Sequence, residues 1–255
     1  MTDPAALTYA SYLALDEVLG AQRPRSDEHD ELLFIVIHQV YELWFKQLLH
    51  ELRHLRSLFQ DAQSSRSLHT LRRILTILKV AVAQIDVLET MTPRQFTSFR
   101  DRLDAASGFQ SAQFRELEAL LGRRDPDTPP ANDAVRAVTE EPSVFDAFVS
   151  CLAEHGYDVP PSSLDHDVTV PRLASDGLQR TLFDVYADDG VDAQVCERLV
   201  DLDEGLQEWR YRHVKMVERT IGDKAGTGGS SGAAYLRSTL FRPLFPDLWA
   251  VRARL

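Results

Sequence analysis

The most conspicuous spacing of reactive side chains is His50-Glu51-Leu52-Arg53-His54, an H-E-x-x-H pattern with two imidazoles one helical turn apart and a carboxylate between them. Zinc chemistry on such a pair needs a third protein ligand. The extension that supplies one elsewhere calls for Gly and His where this chain has Ser57 and Gln60, and no Asp or Glu occurs between Asp61 and Asp86. His69 is the remaining candidate, and Arg53 and Arg56 would stand beside the cation. The pattern reads as the solvated face of a helix rather than a metal site.

Three other constellations carry more information. Phe34 and His38 lie four apart in LLFIVIHQVYELW and share one helical face among apolar neighbours. Phe96, Arg100 and Leu103 fall at i, i+4 and i+7, which sets a guanidinium between two apolar residues on what reads as an inward stripe. A buried guanidinium needs an anion. The anion is either a bound ligand or an internal acid, for which Glu42 and Glu89 are candidates. His213, in EWRYRHVKMVERTIG, follows Trp209 by one turn; it is either a surface residue near a helix C-terminus or the single protein ligand that a haem iron requires. The run GTGGSSG, Gly226 to Gly232, lacks the Gly-Lys-Ser/Thr ending of a phosphate-binding loop. It reads as a flexible linker or as a mobile lid carrying exposed backbone N–H groups and the Thr227 hydroxyl.

The elements that must position these groups are helices. Apolar residues recur at helical spacing nearly everywhere and two-residue alternation is scarce, so the fold class is all-α, a helical bundle in one domain over residues 1–255. One long helix is expected from about Glu28 to Phe59, with Leu33, Ile37, Trp44, Leu48, Leu52 and Leu55 as its stripe, and a second from about Ser67 to Thr90. Thr92-Pro93-Arg94-Gln95 predicts a helix start with a capping box, continuing to about Leu103. Further helices are expected up to Gly122, over about Ser143 to Glu154 and Asp176 to Tyr186, and over a long stretch from about Asp192 to Ile221, stopped by Gly222. GRRDPDTPPAND, Gly122 to Asp133, is a loop.

Composition narrows the function classes. The net charge is −11 and the 28 basic residues are dispersed among acids, which argues against a nucleic-acid partner. No basic segment followed by an apolar core opens the sequence, and no stretch is expected to span a bilayer; a soluble, cytoplasmic protein without membrane association is expected. The two cysteines, Cys151 and Cys196, read as small buried apolar residues of a reducing compartment.

Taken in order, LTYASYLALDEVLGAQ, HDELLFIVIHQVYELWFKQLLHEL, ETMTPRQFTSFRDRL, ASGFQSAQFRELE and WRYRHVKMVERTIGDKAGTGGSSGAAYLRSTL resemble the blocks of the tryptophan 2,3-dioxygenase family. The likeness runs from Leu7 to near the C-terminus and is weakest between about Arg123 and Asp192, where the chain is expected to be somewhat shorter than the family. The resemblance implies a b-type haem, with ferrous iron in the active form, held by His213, and Ser107 lying near it. It implies His38 as the catalytic histidine beside the substrate indole N–H, with Phe34, Phe96 and Leu103 as apolar walls. Arg100 then grips the substrate carboxylate, and Thr227 of the Gly-rich loop 223–232 meets its amino-acid end. Tyr9, Tyr12 and Leu13 lie in an N-terminal segment, residues 1–22, implied to complete the pocket of a neighbouring subunit in a homotetramer. The implied reaction inserts O2 across the indole C2–C3 bond of L-tryptophan to give N-formylkynurenine, the first step of tryptophan catabolism by the kynurenine pathway. A haem mono-oxygenase acting on a β-substituted tryptophan in secondary metabolism would use the same pocket.

Overall fold

The computed structural model describes residues 6–103, 111–125, 130–224 and 233–255, and all regular structure among them is helical. Two short helices, α1 (Tyr9–Tyr12) and α2 (Leu15–Leu19), pack on each other ahead of α3 (His29–Gln60). Asp30 and Glu31 occupy the first turn of α3, where negative charge is favourable. The Glu31 carboxylate is buried and accepts the Ser26 hydroxyl at 2.5 Å and the backbone N–H groups of Arg25 and Ser26 at 2.8 Å, so it folds the incoming loop onto the helix. Ala62, at φ 53°, turns the chain back into α4 (Ser64–Leu88).

The body is made by α3, α4 and α11 (Val191–Ile221), with α4 packed along both of the others. The buried face of α4 carries Leu71, Ile74, Leu78 and Ile85, and that of α3 carries Phe45, Leu48, Leu52 and Leu55. Each such side chain contributes roughly 1.5–3 kcal/mol by leaving water. Gly205 of α11 sits where an added Cβ would be 2.8 Å from Leu78 Cδ2, so the absence of a side chain lets α11 approach α4 closely. Around this core stand α5 (Pro93–Arg100), touching α3 and α11, and α6 (Ala112–Leu120) and α8 (Val144–Glu154), both on α3. Smaller elements are α7 (Asp133–Thr139), α9 (Pro161–Leu164), α10 (Asp176–Ala187), α12 (Ala233–Ser238) and α13 (Pro246–Ala250), followed by a 3-10 turn at Val251–Ala253.

Buried polar groups tie the ends of these helices together. Asp203 of α11 is fully buried; one carboxylate oxygen accepts the N–H groups of Leu244, Phe245 and the Trp249 indole, and the other accepts Gln207. The C-terminal segment is thereby fastened to α11. In the first turn of α11, Asp192 takes the Ser64 hydroxyl at 2.5 Å and His155 Nδ1 at 2.8 Å, joining α4, α8 and α11. Both cysteines are buried and unpaired.

The helical class and the long elements match their sequence signatures. α4 begins a turn earlier than expected, at Ser64, and α5 stops at Arg100, capped by Asp101, leaving Leu103 in the following turn. α7 begins at Asp133, where the Pro- and Asp-rich loop ends, with Asn132 as its N-cap. The expectation that no stretch could span a bilayer is overturned by length and composition: α3 reaches a mean hydropathy of 1.2 over eighteen residues, the one such helix among the described residues. About 28% of that stretch is buried inside the chain, and Leu32, Val36 and Leu43 of the helix are exposed.

Candidate active site

Three helices supply the site. α5 is set by its capping box: the Thr92 hydroxyl accepts the Gln95 N–H at 3.4 Å, and Gln95 Oε1 accepts the Thr92 N–H at 2.8 Å, with Pro93 in the first turn. Phe96 and Phe99, three apart, then face inward and dock against Phe34 of α3. Phe34 lies 5.8 Å from Phe96 and 5.7 Å from Phe99 between ring centroids, and Phe96 meets Phe99 nearly edge-on at 5.4 Å. Phe99, fully buried, is a wall residue that the sequence reading missed; its i+3 relation to Phe96 is the signal that could have found it.

His38 lies over Phe34, with centroids 4.1 Å apart. Its Nδ1 is 2.7 Å from the Phe34 carbonyl oxygen, an acceptor, so Nδ1 donates and carries the proton. Burial lowers its pKa, outweighing the Phe34 carbonyl and the Glu42 charge, which act the other way. The imidazole is therefore neutral near pH 7 and presents a bare Nε2 lone pair, an acceptor for an N–H.

His213, on α11, is pushed down to a pKa of about 4, first by burial and then by the charge that His38 would carry. The two histidines thus stand close enough to sense each other electrostatically. Among the described residues no hydrogen bond holds the His213 ring, which instead lies parallel to Trp209, with centroids 5.2 Å apart and planes 8° apart. A neutral imidazole carries the nitrogen lone pair that a metal takes from a histidine ligand.

Arg100 ends α5 and is half-buried. Of the two acids considered as its internal partners, Glu42 accepts Gln113 at 2.8 Å, and Glu89 faces Arg212 at 3.4 Å and Arg219 at 3.8 Å. Leu103 is half-buried against the core and is linked to Arg100 through the turn hydrogen bond from its N–H to the Arg100 carbonyl. Ser107 and Thr227 lie outside the described residues, as does most of the loop 223–232. Tyr9 and Tyr12 are 77% and 72% exposed and Leu13 is also exposed, so these side chains face away from the core of their own chain.

The H-E-x-x-H spacing is spent on structure. Glu51 is buried, pairs with Arg73 at 3.0 Å and accepts Gln47 at 2.8 Å, while His50 and His54 point to solvent. Among the described residues no group of three or more potential metal-ligating side chains converges.

An all-helical bundle with a cluster of aromatic rings, a neutral hydrogen-bond-accepting histidine and a second, unprotonated histidine within its electrostatic reach has the makings of an oxygenase for an aromatic substrate. The comparisons make the class specific. The family model for tryptophan 2,3-dioxygenase matches residues 2–144 and 158–255, and the chain belongs to that family. The tryptophan 2,3-dioxygenase of Anaeromyxobacter sp. (strain K) is 62% identical over 266 residues, covering all of both chains. That of Herpetosiphon aurantiacus is 57% identical over 258 residues, 98% of this chain and 99% of the relative; that of Caulobacter vibrioides is 44% identical over 259, 98% of each. The break in the family match, residues 145–157, falls in the stretch where the resemblance is weakest.

Proposed function

We propose that this protein is a haem-dependent tryptophan 2,3-dioxygenase, which adds both atoms of O2 across the indole C2–C3 bond of L-tryptophan to yield N-formylkynurenine and so opens the kynurenine pathway. Full-length identity of 62% to a tryptophan 2,3-dioxygenase carries this reading. His38 stacked on Phe34 beside Phe96 and Phe99, with His213 near enough to sense its charge, suits such a reaction.

His213 would hold a b-type haem, and the bound group would supply the activation of O2. The neutral state of His213 suits that role, since a protonated imidazole has no lone pair to give. The remaining work is placement by the chain's own residues. Phe34, Phe96 and Leu103 enclose the indole and exclude water. His38 Nε2 accepts the indole N–H and fixes the rotation of the ring, and the Phe34 carbonyl holds His38 in the tautomer that permits this. Arg100 binds the substrate carboxylate as a fork. Thr227 is assigned to the amino-acid end of the substrate and Ser107 to the haem by their place in the family blocks. The exposed Tyr9, Tyr12 and Leu13 are suited to complete the pocket of a second copy in a cytoplasmic homotetramer.

The test is reaction of the reduced haem protein with L-tryptophan under 18O2. A product heavier by two labelled oxygens, with the N-formylkynurenine absorption, is expected. A single labelled oxygen in an oxindole-type product would replace ring cleavage with mono-oxygenation.

A further inference from the structure

Between α3, α4, α6 and α11 the bundle encloses a cavity of about 20 Å³. Its walls include Leu52, Ile74, Leu78, Ala81, Leu206 and Trp209, and they present no polar surface to it. A space of this size is large enough for one small molecule, yet an ordered water needs two to four polar partners. Trp209, one of the lining residues, carries an indole N–H that is buried without a hydrogen-bond acceptor among the described residues. One donor does not hold a water, so the cavity is dry, and dry apolar cavities take up small apolar solutes.

Its position links it to the site. Leu202, Leu206, Trp209 and His213 follow one another at i, i+4, i+7 and i+11 on one face of α11, so the stripe that lines the cavity runs on into His213. Trp209 belongs to both places: it lines the cavity and lies flat on the His213 ring. We propose that this cavity is a docking site for molecular oxygen, holding the apolar co-substrate one aromatic ring away from His213. The assignment to O2 rests on the dioxygenase reading above, because an enzyme consuming a sparingly soluble gas gains from a protein interior that concentrates it.

Crystals of the haem-loaded protein pressurised with xenon test the site, together with Ala81→Leu, which fills the cavity from a residue that is not among those assigned to haem or substrate. Xenon is expected between Leu78, Ala81 and Trp209 in the wild type and absent from the variant. With tryptophan saturating, kcat/KM for O2 should fall about threefold in Ala81→Leu, while KM for tryptophan and the melting temperature hold. Should the leucine be accommodated poorly, Ala81→Val provides a smaller filling with a proportionately smaller effect. No xenon in the wild-type cavity overturns the docking site, as does a variant that excludes xenon yet keeps its kcat/KM for O2. Xenon binding does not depend on turnover. A wild type that holds xenon but consumes neither tryptophan nor O2 overturns instead the dioxygenase reading and the assignment to O2.

Discussion

Trp209 lies flat against His213, one turn apart on α11, with ring planes 8° apart. The stack fixes the plane of an imidazole that no hydrogen bond orients among the described residues, and burial around it keeps the ring neutral. Helix register alone thus delivers an oriented nitrogen lone pair, because residues four apart on a helix are neighbours.

Replacing His213 should therefore abolish haem retention without unfolding the bundle. His213→Ala is expected to purify with most of its haem lost and with far-ultraviolet circular dichroism close to wild type. Haem content per chain checks this. Full haem in His213→Ala, with loss in His38→Ala, would exchange the two roles.

Arg100 is expected to act on the substrate, as its place at the end of α5 after Phe96 and its match to the carboxylate-gripping position of the family blocks imply. Arg100→Ala should weaken tryptophan binding by about 2–5 kcal/mol, the range for removing one side of a desolvated charge pair. Calorimetric titration and thermal melting separate the possibilities. A large drop in melting temperature with near-normal affinity would make Arg100 a structural residue.

His38 positions the indole and is not an obligatory base. With its pKa lowered by burial, the neutral imidazole is too weak to remove an indole proton to a useful extent, whereas Nε2 is free to accept its hydrogen bond. His38→Ala should still form N-formylkynurenine in a single turnover, about 10²-fold more slowly, as for a misplaced substrate. Complete absence of product at verified haem and tryptophan occupancy would restore an essential proton transfer.

His155 should make stability depend on pH. Its Nδ1 faces Asp192 at 2.8 Å and its Nε2 faces the Ala62 carbonyl at 3.1 Å, so both ring nitrogens meet acceptors and the imidazolium is the favoured form. Burial opposes the charge, but the carbonyl and the carboxylate outweigh it and raise the pKa above the ordinary 6.5. A raised folded-state pKa means that the stabilisation is complete below the unfolded value and is lost as pH rises through the folded one. The wild type should gain about 0.5–1 kcal/mol over His155→Gln at low pH and lose that margin in alkaline buffer. Urea midpoints of both proteins near pH 6 and pH 9 check it; a margin that grew with pH would reverse the assignment.

Much of the molecule was legible without coordinates. The 3.6-residue recurrence of Leu52, Leu55, Leu71, Ile74 and Ile85 marks the core faces of α3 and α4, and Thr92 with Gln95 marks the start of α5, because these signals lie within a few residues of one another and act through local backbone geometry. The family blocks likewise single out His38, Arg100 and His213 on the sequence alone. Partner choice was not legible. Whether Glu51 serves a metal or an arginine is decided by Arg73, on the neighbouring helix; whether Glu42 and Glu89 meet Arg100 or other partners is decided by where α6 and α11 pass. The burial of Phe99, the docking of α5 across α3 and α11, and the closeness of His38 to His213 are equally beyond local pattern. Such contacts join residues tens to well over a hundred positions apart, and their identity follows from how whole helices pack, which depends on summed side-chain shape over the entire core rather than on any short stretch of chain.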